Sequence, residues 1–479
     1  MKKRLLLLSA AALLMACDPA ASDKSETKPD KDAKVENAFP STYAPLASEP
    51  TVITNAQLID GTGSEIAAGS VYIQDGRIVA VGADAEAPED FPSEATTIDA
   101  QGRFVTPGII DIHSHLGNYA SPGVNAHSDG NEVTSPITSE VDAEHGVWPQ
   151  DPGFDEALQG GITTLHILPG SANLFGGKGV TLRNIASRTV QGMKFPGAPE
   201  TLKMACGENP KRVYGDKGGP GSRMGNVAGY RKNWIRAAEY KKKRDKAAEK
   251  GDDKDNDFTR DLQLETLADV LDGKILVQMH CYRADEMVQI LDIAKEFDYK
   301  VTTFHHAVEA YKIGDILAEN DTCAAMWADW YAFKMESYDG IRENVPFVHA
   351  AGACAMIHSD DDNNIQRLNQ EVAKTWADGN RAGLNIPKAE AWKWLSTNPA
   401  KALGILDETG TLEVGKRADI VLWSADPFST YARPETVMID GATVFDRASG
   451  LKPKSDFRLG QGEAPASLMQ ETSNAGDKL

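Results

Sequence analysis

Four separated stretches of this chain share one layout, a run of apolar and β-branched residues that ends on histidine. They are Ile109-Ile110-Asp111-Ile112-His113-Ser114-His115, Leu276-Val277-Gln278-Met279-His280, Val301-Thr302-Thr303-Phe304-His305-His306 and Ala355-Met356-Ile357-His358-Ser359-Asp360. Short runs this apolar read as strands buried on both faces, as in parallel sheets. Helical stretches separate them, so the chain is of the α/β class, and residues 107–405 have the length of a (β/α)₈ TIM barrel. Such a barrel collects functional groups at the C-terminal ends of its strands. In a strand, residues two apart share a face, so His113 and His115 are able to grip one ion together. Neighbours point oppositely, so only one of His305 and His306 is expected to face the centre. With Asp360 closing the last run, the pattern points to a metal centre.

The flanks read differently. Thr51–Thr54, Val71–Gln74 and Arg77–Val81 are short strands, and Ala418–Trp423 and Glu435–Gly441 resemble them near the other end. Residues 51–106 plus 406–460 are therefore expected to form a small composite β-sandwich domain from both chain ends, followed by a tail over 461–479. At the start, Lys2, Lys3 and Arg4 precede an apolar run too short to span a bilayer but suited to a signal peptide. Cys17 stands directly after Leu14-Met15-Ala16, as in a bacterial lipobox, so residues 1–17 are expected to be a lipoprotein signal with Cys17 lipidated. Residues 18–50 have the composition of a flexible tether. The expected location is the bacterial cell envelope, membrane-anchored by the lipid and facing the periplasm.

Composition excludes some classes. Lys+Arg 50 against Asp+Glu 70 gives a net charge of −20, unsuited to a general nucleic-acid binder. Residues 239–257 are dense in mixed charge and read as a solvated surface helix and loop. Five cysteines are too few for a disulfide scaffold, and Cys206, Cys281 and Cys354, in apolar runs, are expected to be buried small hydrophobes. PGSANLFGGKG (169–179) lacks the phosphate-loop pattern and reads as an active-site loop.

The motifs PGIIDIHSH (107–115), MHCYRADEM (279–287), FHHAVEAYKI (304–313), IHSDDDN (357–363) and GTLEVGKRADIVLW (410–423) resemble the amidohydrolase superfamily, in its imidazolonepropionase-like branch. The resemblance implies that His113, His115 and Asp360 bind a more buried metal, and His280 and His306 a more exposed one. Two Zn²⁺ ions are expected, with Fe, Mn or Co as alternatives. It also implies a bridging ligand, either a Glu or a carboxylated Lys. Glu208, just past a strand end, is preferred, and Lys203 is read as too deep in the strand. The implied reaction is hydrolysis of an amide-type C–N bond by metal-activated hydroxide, with Asp360 as proton shuttle. Its substrates would be small peptides, N-acyl amino acids or cyclic amides. Arg212, Arg223, Tyr282 and Arg283 are candidate substrate contacts. The alternatives are a deaminase on the same centre, which Arg283 in the place of a Glu disfavours, and a non-catalytic envelope binding protein. The oligomeric state stays open.

Overall fold

The structure is a computed structural model that describes residues 38–83, 85–250 and 258–449. The signal-like segment with Cys17, most of the tether, residues 251–257 of the charged segment and the tail lie outside the described residues.

Five strands come first: β1 (Thr51–Ile59), β2 (Glu65–Gln74), β3 (Arg77–Gly82), β4 (Thr96–Asp99) and β5 (Phe104–Pro107). Eight follow: β6 (Ile109–Ser114), β7 (Ile162–Ile167), β8 (Phe175–Arg183), β9 (Thr201–Ala205), β10 (Leu276–Cys281), β11 (Val301–His306), β12 (Cys323–Met326) and β13 (Ala355–Ile357). Three more, β14 (Ile420–Trp423), β15 (Pro434–Ile439) and β16 (Ala442–Asp446), close the described chain.

Strands β6 to β13 pair in sequence order as the staves of a barrel. The two ends of this sheet meet where Asp360 N–H donates to the His113 carbonyl at 3.0 Å. Seven staves run parallel. The exception is β8, antiparallel to both β7 and β9 and joined to β7 without a helix. The stretch 169–179 is thus a loop only as far as Leu174, and its glycine-rich second half opens β8. The strand before the first histidines is pressed against its neighbour. A Cβ on Gly108 would stand 2.2 Å from the Thr163 hydroxyl, so Pro107-Gly108 permits this approach where no larger residue fits.

The other sheet has the order β16-β15-β14-β5-β1-β2-β3, with β4 also on β1, and so is built from both chain ends. Ile53, Leu58, Val71, Ile73, Val105, Ile420 and Met438 fill its core. It is locked to the barrel by a buried ion cluster. Arg183, at the end of β8, is 0% exposed and donates to both oxygens of Asp419 at 2.6 and 2.5 Å, with Asp440 at 3.3 Å. A buried guanidinium is tolerated only with such bidentate pairing.

The cysteine expectation is corrected. Cys206 and Cys281 form a disulfide across the ends of β9 and β10, and Cys323 and Cys354 form a second between β12 and the residue preceding β13. Parallel neighbours in the barrel bring together cysteines 75 and 31 residues apart. The charged segment, as far as it is described, ends the helix Arg223–Lys250, where Arg244 pairs with Asp269 and Asp272 at 2.8 and 2.6 Å.

Candidate metal centre

Alternation along the barrel strands sends every second side chain inward. On β9 this is Lys203, on β10 Gln278 and His280, on β11 Thr303 and His305, and on β6 Asp111 and His113. All seven are buried to within 1% exposure. At the C-terminal mouth, His115, His306, His358 and Asp360 join them.

Hydrogen bonds fix where the lone pairs point. The Gln278 Oε1 atom only accepts, so the 2.8 Å contact requires His305 to donate from Nε2. His305 Nδ1 then accepts from His113 Nδ1 at 2.9 Å, which leaves the His113 Nε2 lone pair aimed at the centre. His115 donates from Nδ1 to the Leu168 carbonyl at 2.8 Å, so its Nε2 lone pair is free in the same way. Those two nitrogens lie 3.3 Å apart, and Asp360 Oδ1 lies 3.4 Å from one and 3.1 Å from the other. Three acceptors thus converge with no hydrogen to share. That is the donor set of a cation site, and the acceptor ring nitrogens oriented from behind are what metal-binding histidines require.

A second group joins His113 to His306 and His358. Both ring nitrogens of His280 and of His358, and Nδ1 of His306, are buried without a hydrogen-bond partner among the described residues. The His280 and His306 rings stand 4.6 Å apart. Buried nitrogens left unpaired cost stability unless a ligand satisfies them. Burial first, and mutual repulsion with neighbouring basic groups second, hold His113, His280 and His306 well below the ordinary histidine range. His358 is pushed down to about 3 by burial. The imidazoles are neutral and able to coordinate.

Two expectations are overturned here. His305 and His306 both face the centre, because His306 has a φ of +69° and Ala307 of +39°. The left-handed turn at the strand end swings His306 inward after the normal alternation has already sent His305 there. Lys203 is not too deep: its Nζ lies 3.4 Å from His113 Nε2, and burial lowers its ammonium pKa to about 7. Glu208 belongs to neither ligand group. It opens the helix Glu208–Tyr214 and lies 3.5 Å from Lys334 Nζ.

Asp360 is positioned by its neighbour. Ser359 donates from its hydroxyl to Asp111 Oδ2 at 2.5 Å and from its N–H to Oδ1 at 3.2 Å, so Asp111 ties the strand end bearing Asp360 to the one bearing His113. Asp111, His305, Gln278 and His358 were absent from the sequence-derived site. The signal for Asp111, Gln278 and His305 was period-two alternation back from the strand-end histidines, and for His358 its place at the end of an apolar run.

Above the ligands opens a cleft of about 350 Å³, lined by His115, Asp360, Tyr119, Tyr282, Asn209 and Arg212 among others. Gly170, Ser171 and Ala172 of the loop before β8 also line it. Tyr282 is stacked over His306 at 5.4 Å and carries Lys334 Nζ 4.0 Å from its ring centre. Of the four candidate substrate contacts, Arg212 and Tyr282 line the cleft. Arg223 is engaged by Glu286 and Glu336, and Arg283 by Asp285.

Residues 104–444 match the model of the amidohydrolase family. The amidohydrolase tasK of Hapsidospora irregularis is 32% identical over 444 residues, which cover 84% of this chain and 44% of that protein. The chain therefore spans less than half the length of that relative. An imidazolonepropionase of Mesorhizobium japonicum is 26% identical over 379 residues, covering 75% of this chain and 87% of that one. Among solved structures, an amidohydrolase from Thermotoga maritima MSB8 superposes with a TM-score of 0.75 at 34% identity, over 83% of this chain and all of that one. The family match takes in every strand of the barrel and each of the histidine-bearing strand ends, and by it the chain belongs to the amidohydrolase family.

Proposed function

We propose that this chain is a metal-dependent hydrolase of amide-type C–N bonds in small peptides, N-acyl amino acids or cyclic amides. The observation that carries the reading is the convergence of His113 Nε2, His115 Nε2 and Asp360 Oδ1, acceptors with no hydrogen between them, beneath an open cleft. His113, His115 and Asp360 would hold one divalent ion, and His280 and His306, beside His358, a second; zinc suits this nitrogen and oxygen set. A bound ion supplies Lewis acidity toward the scissile carbonyl and toward water. Asp360 borders the cleft and accepts a proton from the attacking water at its carboxylate, then delivers it to the leaving nitrogen.

For the bridge the reading now favours Lys203 over Glu208. As an ammonium Lys203 is a poor fit, fully buried beside histidines and with no direct ion pair among the described residues. Loss of the ammonium proton frees the Nζ lone pair, favoured by burial; its addition to CO₂ would form an Nζ–C bond as one C=O π bond breaks, release a second proton and turn the side chain into an anionic oxygen ligand. Export to the bacterial envelope, with lipid on Cys17, is proposed as well. The two disulfides support it, since such bonds persist in oxidising compartments. The test of the activity is a release assay on dipeptide, N-acyl amino acid and lactam libraries with the zinc-loaded protein and a chelated control. Turnover of none of the three classes, or equal turnover after chelation, would remove the reading.

A further inference from the structure

The cleft contains a cation with no ion-pair partner among the described residues. Asn209, Arg212 and Val213, at helical i, i+3, i+4 spacing, put one face of the helix Glu208–Tyr214 along the same cleft that His115 and Asp360 border. Three cations near it are committed. Arg223 lies 3.0 Å from Glu286 and also pairs with Glu336, Arg283 lies 2.9 Å from Asp285, and Lys334 is shared by Glu208, Asn209 and the Tyr282 ring. Arg212 makes no ion pair among the described residues. Its local candidate is Glu208, four residues earlier, the spacing at which a Glu and an Arg commonly pair on a helix. That carboxylate is turned away, 3.5 Å from Lys334. Among the described residues the one acidic side chain on the cleft lining is Asp360, already in contact with His115 at 3.1 Å. A guanidinium presents a planar fork that matches a carboxylate in bidentate fashion.

We propose that Arg212 is the carboxylate-binding group of this cleft, so that the substrates are amides carrying a free carboxylate, as N-acyl amino acids and dipeptides do. The proposal rests on the amide-hydrolase reading. Cyclic amides without an acid group would leave Arg212 merely hydrated, and the assignment ranks them below N-acyl amino acids.

The test is calorimetric titration of the zinc-loaded protein with a ligand that is not cleaved: the ketomethylene isostere of N-acetylleucine, and the carboxamide of the same isostere. A charge-assisted bidentate contact predicts that the carboxylate binds at least about tenfold more tightly than the carboxamide. R212M should collapse that ratio to near one, R212K should restore part of it, and R283M should leave it as in the wild type. Equal affinities in the wild type overturn the assignment, as does binding of neither ligand. A ratio that persists in R212M also overturns it, because the carboxylate then sits on the metal. If the ratio behaves as expected but N-acyl amino acids are not hydrolysed, the amide-hydrolase reading fails while the carboxylate site stands.

Discussion

Asp360 is the residue at which chemistry and structure separate most cleanly. Asp360→Asn keeps an oxygen for the metal and the backbone hydrogen bond to His113, but it has no carboxylate to take a proton. We expect kcat to fall at least about a hundredfold, with zinc content retained, because general acid–base catalysis is typically worth about 10²–10⁴. Asp361→Asn is the control, since the Asp361 carboxylate caps the following turn by accepting from Asn363 N–H and Asn364 N–H. Equal losses in the two variants would sink the shuttle assignment. Lys203 gives a second test. Lys203→Ala should cost metal stoichiometry, and added propionate should restore part of it, whereas Glu208→Gln should leave the metal content unchanged; the reverse outcome would return the bridge to Glu208. A third concerns residues that touch no substrate. His305 and Gln278 set the proton on His113, so Gln278→Leu should weaken zinc affinity about 10–100-fold, measured by chelator competition. Unchanged affinity would mean that the hydrogen-bond relay does not orient His113.

Among the elements, β9 and β10 carry Lys203 and His280 and are cross-linked just beside them by Cys206–Cys281. The bridge closes a loop of 75 residues. Chain entropy then predicts that replacing both cysteines by serine lowers unfolding stability by about 2–4 kcal/mol, readable in urea denaturation. A loss within error would show that pairing of the two strands already fixes their geometry. These elements also show what sequence reasoning reached. That His113, His115 and Asp360 converge could be expected because period-two alternation and strand ends are local facts. Lys203 was read correctly as lying inside a strand and wrongly as out of reach, because a lysine stem carries its nitrogen well away from its own Cα. His306 was identified, but its company with His305 depends on a left-handed turn that alternation does not encode. The disulfides and the antiparallel β8 were missed for one reason. Each is decided by which strands become neighbours, a tertiary fact, and local signals such as glycine content pointed elsewhere.

At the scale of the molecule, the barrel interior is packed with neutral histidines, and this links its stability to pH. His166 is the clearest case because it is outside both ligand groups. It sits on β7, buried, between the Thr181 hydroxyl at 3.2 Å and the Thr201 hydroxyl at 3.1 Å, and so spans three adjacent staves. Burial lowers its pKa from 6.5 to about 3. In the unfolded chain it takes up a proton as the pH falls through 6.5; in the folded barrel it resists protonation until about 3. Between those limits the unfolded state binds more protons, so stability rises with pH and is lost on acidification. One such proton corresponds to a slope of about 1.4 kcal/mol per pH unit once the unfolded histidine is fully protonated. His166→Gln retains hydrogen-bonding capacity but does not titrate. In the chelated protein, which removes competition between protons and metal, the variant should therefore show a shallower fall of unfolding free energy from pH 6 to pH 4. The expected reduction is about one proton's worth. A slope identical to wild type over that range would show that His166 is already protonated in the fold, and the neutral-core account of the barrel would fail with it.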